Sequence, residues 1–499
     1  MKVLVELRPA LDGHAGIPQE TRLLFRLLVQ IHGTQVEGLI QSSNKLLAPG
    51  LKVDAAGRLA ETSNDRRLNR LSRVVVSLRP KSKQRLPERV LVMVRSAIKP
   101  ALMVLATIAG FRTRLGLFDA EHFRDFIWRS LFARTLPSRD FDAVTACRFR
   151  IAVVPWAGMH LGGLLTRRLG HAVYPRLDTR AFDLMVAETP YPGRVSRNTT
   201  LVVRYHDAIP ILMPHTISDS SFHQASHFHA LRRNVRDGAW FACVSEATRR
   251  DLIAVFPEVE PRAVTIHNMI SQEYFREDSN ADRVPEIIRT RFNRAVTKAS
   301  PPMPRTDGAS GLGYLLMVST IEPRKNHLSL LAAWEQLRAE GHPDLKLVLV
   351  GSLGWENRGI VKMLRPWVER GDVQVLENVP SAELRLLYAH ARVTVCPSFG
   401  EGFDFSGIEA MGCGGVVAAS DIPVHREVFG DAADYFNPYA VGSLVQSLER
   451  LLAADAADLR RGLLERGDAV SAQYSSERIM PKWHAFLDQL MSPSKPAAN

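Results

Sequence analysis

Five short apolar or β-branched runs recur in the second half of the chain: Tyr314–Ser319, Lys346–Gly351, Val373–Leu376, Val393–Ser398 and Gly415–Ser420. Helix-length segments separate them. Runs without strict alternation belong to strands buried on both faces, and long connections between such strands are the mark of parallel crossovers. The spacing therefore predicts an α/β domain built on a parallel sheet. The chain opens the same way: Lys2–Leu7 reads as a buried strand, and Leu23, Leu24, Leu27, Leu28 and Ile31 recur at helical spacing within Glu20–Ile31. At 499 residues there is room for two or three domains. The stretch Lys298–Gly311 is rich in Pro, Ser and Gly, which continue neither helix nor strand, and it reads as the linker. We expect an α/β N-terminal domain over residues 1–297, a linker over 298–313, a second such domain over 314–470 and a terminal segment over 471–499. In that last segment Ile479, Trp483, Phe486, Leu487 and Leu490 share one helical face after a Ser475-Ser476-Glu477 start, which predicts a packed helix.

With 46% hydrophobic and 23% charged residues the chain is neither disordered nor fibrous. Cys147, Cys243, Cys396 and Cys413 lie far apart with no CxxC pair, so neither a disulfide framework nor a structural zinc site is indicated, and a reducing compartment fits. The apolar part of the amino terminus is too short for a signal-peptide core. Net charge is +12 and unevenly placed. Between Arg66 and Arg114 thirteen Lys or Arg face one acid, Glu88, a surplus equal to that of the whole chain. Val90–Phe111 is long enough to span a bilayer but carries Arg95, Lys99 and Pro100 near its middle, so it is not read as transmembrane. A basic, apolar segment suits contact with an anionic membrane surface. A solvated basic helix packed on the core stands beside that reading, with nucleic acid as the competing partner.

The most informative stretch is Pro397–Gly415, where an apolar run passes through a glycine-rich turn and opens a helix. Free backbone N–H groups and the helix dipole converge at such a junction and favour phosphate. Glu401 lies in the turn and Glu409 about a turn or more into the helix, so both can face one ligand. Carboxylates repel phosphate, and the two acids are expected to take hydroxyls, those of a sugar by Glu401 and of a ribose by Glu409. Upstream, Tyr314–His327 again leads from strand to helix and carries Arg324 and Lys325 at the turn, two cations able to neutralise a diphosphate leaving group without a metal.

These elements resemble the family 4 retaining glycosyltransferases of the GT-B architecture. The matching residues are Glu401 to Glu409, Glu322-Pro323-Arg324-Lys325-Asn326, Val350–Trp355 and Asp421–Ala433, so the likeness covers nearly all of 314–453. In the first half it rests on Gly13-His14-Ala15-Gly16-Ile17, Arg204–Pro210 and Val244–Thr248, which resemble the mannosyltransferase branch of bacterial polysaccharide and O-antigen synthesis. The resemblance implies two Rossmann-like domains whose parallel sheets face across a cleft, with the terminal helix crossing back to the first. It implies transfer of a hexose, mannose or a related deoxyhexose, from a GDP-sugar to a glycan or lipid-linked acceptor, with retention, without cofactor or metal, and with no nucleic-acid partner. The implied location is cytoplasmic or peripheral on the inner membrane's cytoplasmic face. By the same resemblance Gly16 approaches the diphosphate and His206 lies beside the donor sugar. Arg324 and Lys325 hold the pyrophosphate, Glu401 with the N–H groups of Gly402, Phe403, Asp404 and Phe405 holds the sugar, and Glu409 the ribose. Two positions depart from the family. Ser319-Thr320 stands where Gly-Arg is frequent, which passes the arginine role to Arg324, and Asp404-Phe405 replaces a frequent Gly-Leu.

Other patterns are read as structural. Asp140-Phe141-Asp142 has the Asp-x-Asp form of a metal site but precedes Ala143–Cys147, which reads as a strand entrance. His223 and His227 have zinc-pair spacing without a following Glu or a distant ligand, and are taken, with His229, as surface or acceptor-groove residues. No GxGxxG with an acid about twenty residues on is present, so dinucleotide binding is not expected. A nucleotide-sugar 2-epimerase of the same architecture and a non-catalytic sugar-nucleotide-binding protein stay open as alternatives.

Overall fold

The computed structural model describes residues 1–11, 13, 16–52, 63–79, 102–167, 172–217, 220–297 and 312–492. The linker 298–311, residues 80–101 of the basic segment, and His14 and Ala15 of the first glycine motif lie outside them.

Two sheets organise the chain. The first is formed by β1 (Lys2–Glu6), β2 (Gln35–Gln41), β3 (Gly116–Phe118), β4 (Arg148–Ala152), β5 (Leu184–Ala187), β6 (Thr200–Tyr205), β7 (Trp240–Cys243) and β8 (Ala263–Thr265). Its spatial order is β8-β7-β6-β5-β1-β2-β4-β3, parallel except for β3, which runs against β4. The second contains β9 (Tyr314–Val318), β10 (Lys346–Val350), β11 (Val373–Leu376), β12 (Val393–Cys396), β13 (Val417–Ser420) and β14 (Ala433–Phe436), in the order β11-β10-β9-β12-β13-β14 and wholly parallel. The apolar runs become strands because each presents side chains to helices on both faces: all four residues of β5, β11, β12 and β13 are buried. These are two Rossmann-like domains facing across a cleft, the GT-B architecture.

The terminal helix Ser476–Met491 crosses back as expected and buries Ile479, Trp483, Phe486 and Leu487 in the same core as Val3, Val5, Leu24 and Val202. Three local expectations change. Helix Val284–Arg291, placed by sequence at the end of the N-terminal domain, packs Val284, Ile287 and Ile288 into the C-terminal core. The chain after it pairs Phe292 with Leu376 and Asn293 N–H with Val375 O at 2.7 Å, covering the open edge of β11. Residues 143–145 are not a strand entrance but part of the helix Phe141–Thr145, which buries Val144 before β4 begins at Arg148. The acids flanking Phe141 pair with arginines, Asp140 with Arg26 at 3.1 Å and Asp142 with Arg124 at 2.6 Å. Of the histidines on helix Ser220–Arg236, His223 is exposed, whereas His227 turns inward against Tyr205, where burial lowers it to about 3.

Among the described residues no helix is long and apolar enough to cross a membrane, and no group of three or more His, Cys, Asp or Glu is gathered as a metal cradle.

Candidate active site

Chain order decides where a site forms. In the first sheet the chain moves outward from β1 through β2 to β4, then returns as β5 on the other side of β1. In the second it moves from β9 through β10 to β11 and returns as β12 beside β9. The crevice beyond the carboxyl ends of strands at such a reversal is where open α/β sheets bind ligands. Glu6, Arg8 and Glu188 leave β1 and β5, and Arg324, Lys325 and Glu401 leave β9 and β12, while His206 follows β6. The two reversals meet. A Cβ on Gly402 would lie 1.7 Å from the His206 carbonyl oxygen, and the Thr248 hydroxyl donates to the carbonyls of both His206 and Gly402 at 3.4 Å.

On the C-terminal side, Arg324 Nη1 donates to Glu401 Oε2 at 2.8 Å and to Gly400 O at 2.6 Å, its Nη2 to Glu322 Oε1 at 3.0 Å, and Lys325 Nζ to Glu401 Oε1 at 2.5 Å. Burial alone would raise the Glu401 carboxyl, but Arg324 and Lys325 outweigh it and hold it below the usual glutamate value. Arg324 and Lys325 are thus paired with Glu322 and Glu401 rather than standing as open phosphate ligands. Asn326, in the left-handed region at φ 60°, ties the two loops by donating to Pro397 O and Pro438 O at 3.1 Å each.

Asp404 begins helix Phe405–Gly412. Its Oδ1 accepts from Ser406 N at 2.9 Å and Oγ at 2.6 Å, and its Oδ2 lies 3.2 Å from His425 Nε2. Against the raising effect of burial, His425 and Ser406 hold it far below the usual aspartate value. Phe403 is buried edge-on to Phe405 and Tyr474. Glu409 is 4% exposed and bonded to Gln19 Nε2 of the other domain at 2.8 Å and to the Tyr388 hydroxyl at 3.1 Å. Burial pushes it up to about 8, partly offset by those two bonds. Gly16 precedes helix Ile17–Gln30 at φ 70°, a conformation that favours glycine.

On the N-terminal side, burial lowers His206 to about 4, with Arg204 adding to the effect, and its Nε2 has no hydrogen-bond partner. Reading the sequence did not mark Glu6, Arg8, Glu20 or Glu188 as site residues. The signal for Glu6, Arg8 and Glu188 is a charged residue at the carboxyl end of an apolar run, as in Leu184-Met185-Val186-Ala187-Glu188, whereas Glu20 lies in the first turn of helix Ile17–Gln30. Also unmarked was a clasp between the domains: the Glu427 carboxylate accepts the N–H groups of Glu246 and Ala247, at 2.6 and 2.8 Å, and lies 2.8 Å from His267 Nε2. Trp355 Nε1 adds a further link, donating to Thr216 O at 3.0 Å.

The fold is also that of solved proteins. Sucrose-phosphate synthase from Thermosynechococcus elongatus superposes with a TM-score of 0.59 over 98% of this chain and 99% of its own, at 16% identity. Residues 307–468 match the family described as Glycosyl transferases group 1. Two Escherichia coli proteins are similar in sequence. O-antigen chain mannosyltransferase B is 31% identical over 234 residues, 47% of this chain and 56% of that protein. A serotype-specific mannosyltransferase is 37% identical over 140 residues, 28% of this chain and 17% of that protein. The alignments thus span about half of the first relative and a smaller part of the second. The chain is a GT-B-fold protein related to these bacterial mannosyltransferases.

Proposed function

We propose that the protein is a family 4 retaining glycosyltransferase. It moves mannose or a related deoxyhexose from a GDP-sugar onto a glycan or lipid-linked saccharide acceptor in cell-surface polysaccharide synthesis. The observation that carries this reading is the meeting of two chain reversals, with His206 against Gly402 and the Arg324–Lys325–Glu401 cluster beside them. The mannosyl assignment rests on sequence similarity to enzymes bearing that name.

In this reading a diphosphate competes with Glu401 for Arg324 and Lys325, and the carboxylate so released accepts donor-sugar hydroxyls. Gly16 and the Gly402–Phe405 turn bring backbone close to the ligand, and Asp404, held by Ser406 and His425, fixes where the helix starts. Glu409 exchanges Gln19 for the ribose. The acceptor oxygen forms its bond on the face from which the phosphate leaves, and the departing phosphate oxygen takes the acceptor's proton. Membrane contact has a specific support: Leu102, Leu105, Ile108 and Phe111 are 59, 62, 65 and 72% exposed, three residues apart, next to the exposed Arg112 and Arg114. This face and the basic residues around it would hold the enzyme to an anionic cytoplasmic leaflet.

Isothermal titration with GDP, UDP, ADP and their sugar conjugates, with and without EDTA, tests the reading. The expected result is EDTA-insensitive GDP binding, abolished in Arg324→Ala/Lys325→Ala. Preference for UDP would overturn the mannosyl assignment, and binding of none would overturn the transferase.

A further inference from the structure

Below the cleft floor three carboxyl groups and two guanidinium groups are buried together. Glu6, Glu20, Glu188 and Arg204 are each 0% exposed and Arg8 9%. Arg8 Nε donates to Glu6 Oε1 at 2.7 Å, and Arg204 Nε to Glu20 Oε1 at 3.0 Å. Glu188 is the carboxyl left over. Its N–H is taken by Glu6 Oε2 at 3.0 Å, but its own carboxyl oxygens accept no hydrogen bond, the neighbouring Thr21 hydroxyl donating instead to Ile17 O at 2.8 Å. Glu188 Oε2 lies 3.5 Å from His206 Nε2, which also has no hydrogen-bond partner.

Two arguments place a proton between them. Three ionised carboxylates against two guanidiniums would leave one buried charge uncompensated, which is strongly unfavourable. One more proton makes the cluster neutral. Secondly, His206 Nε2 and Glu188 Oε2 face each other across 3.5 Å, and neither has another hydrogen-bond partner. A ring nitrogen that bears no hydrogen is an acceptor, and so is an ionised carboxyl oxygen. Two acceptors hold that position stably only around a proton.

We propose that Glu188 and His206 share one proton, which makes Glu188 the positioning residue for His206. In one form the Glu188 carboxyl donates to Nε2, and in the other the imidazolium pairs with the carboxylate. In both, the ring is fixed in orientation at the cleft. Burial pushes Glu188 up to about 8 and His206 down to about 4, so at neutral pH the proton rests on Glu188 and leaves as pH rises through about 8. The other groups facing the pair are Glu6 at the end of β1, Arg8 beyond it, Glu20 and Thr21 on helix Ile17–Gln30, Arg204 in β6, and Asp207. The role of the pair in turnover rests on the transferase reading; the shared proton does not.

The test follows the His206 ring by nitrogen-labelled histidine NMR from about pH 6 to about pH 10, its signal identified by its loss in His206→Gln. The wild-type signal is expected to titrate near 8 and the Glu188→Gln signal to be flat there, while Glu188→Asp, a second variant that keeps the acid, retains a titration. A flat wild-type signal, or an unchanged midpoint in Glu188→Gln, overturns the proposal. In the GDP-mannose transfer assay, Glu188→Gln should lose the alkaline limb and about tenfold or more in kcat, with KM within about threefold. Titration without transfer from any GDP-sugar would overturn the transferase and leave the shared proton standing. Transfer with a flat His206 signal would do the reverse.

Discussion

Gly402 has no space for a side chain, because the His206 carbonyl of the opposite domain occupies the position a Cβ would take. The obstacle is backbone, which cannot swing aside as a side-chain tip would. Gly402→Ala should therefore push the Glu401 turn away from His206, lowering transfer about a hundredfold in kcat while GDP binding falls far less, since a misplacement near 1 Å is worth that much in rate. Comparing steady-state kinetics with titration of GDP checks this, and equal losses in both would show that the glycine serves the nucleotide instead. At this scale the sequence displayed Glu401, Arg324 and Lys325 through their place at strand–helix turns. It did not display that Glu401 would pair with both cations, nor that Glu409 would bond Gln19, 390 residues away. Such partners depend on how two sheets meet, which no local pattern encodes.

Regular elements were the most legible layer. Buried strands must be apolar on both faces, and the runs beginning at Tyr314, Lys346, Val373 and Val393 are strands from those same residues. The terminal helix, legible through its apolar stripe, spans Ser476–Met491. Helix Val284–Arg291 has an equally clear stripe, yet a stripe does not say which sheet it covers, and it went to the other domain. The exposed face Leu102–Phe111 poses the same question about a partner outside the chain. Leu105→Glu/Ile108→Glu changes two residues that are 62 and 65% exposed, so folding should be unaffected. Sedimentation with vesicles containing an anionic phospholipid should then fall about tenfold, with added salt weakening the wild type as well. Unchanged sedimentation would remove the membrane from the account.

For the whole molecule, the decisive contacts join the domains. Glu427 reaches from the C-terminal domain to the first N–H groups of helix Glu246–Val255, where a carboxylate meets the positive end of the helix. That helix carries Thr248, which touches both His206 and Gly402. Glu427→Gln should cost the closed arrangement about 1–2 kcal/mol, visible in small-angle scattering as a larger radius of gyration and in assays as a several-fold lower kcat. Scattering identical to wild type would show that the clasp does not hold the cleft. Burial alone would raise the Glu427 carboxyl, but His267 and the two N–H groups hold it below its usual 4.5. The clasp's contribution is therefore present above about pH 4.5 and lost as pH falls through the lower folded value, a loss Glu427→Gln should not show.

Read alone, the sequence located the first strand, five of the six strands of the second sheet, the terminal helix and the cations at the turn after β9, because each follows from periodicity and turn chemistry within a few tens of residues. Only the tertiary structure decided which charges neutralise one another. It paired Arg324 and Lys325 with Glu401, fixed Glu427 on the opposite domain, and buried three carboxyls with two guanidiniums beneath His206. Those outcomes depend on burial and on distances of a few ångströms between residues up to several hundred positions apart, which only the docking of the two domains brings about.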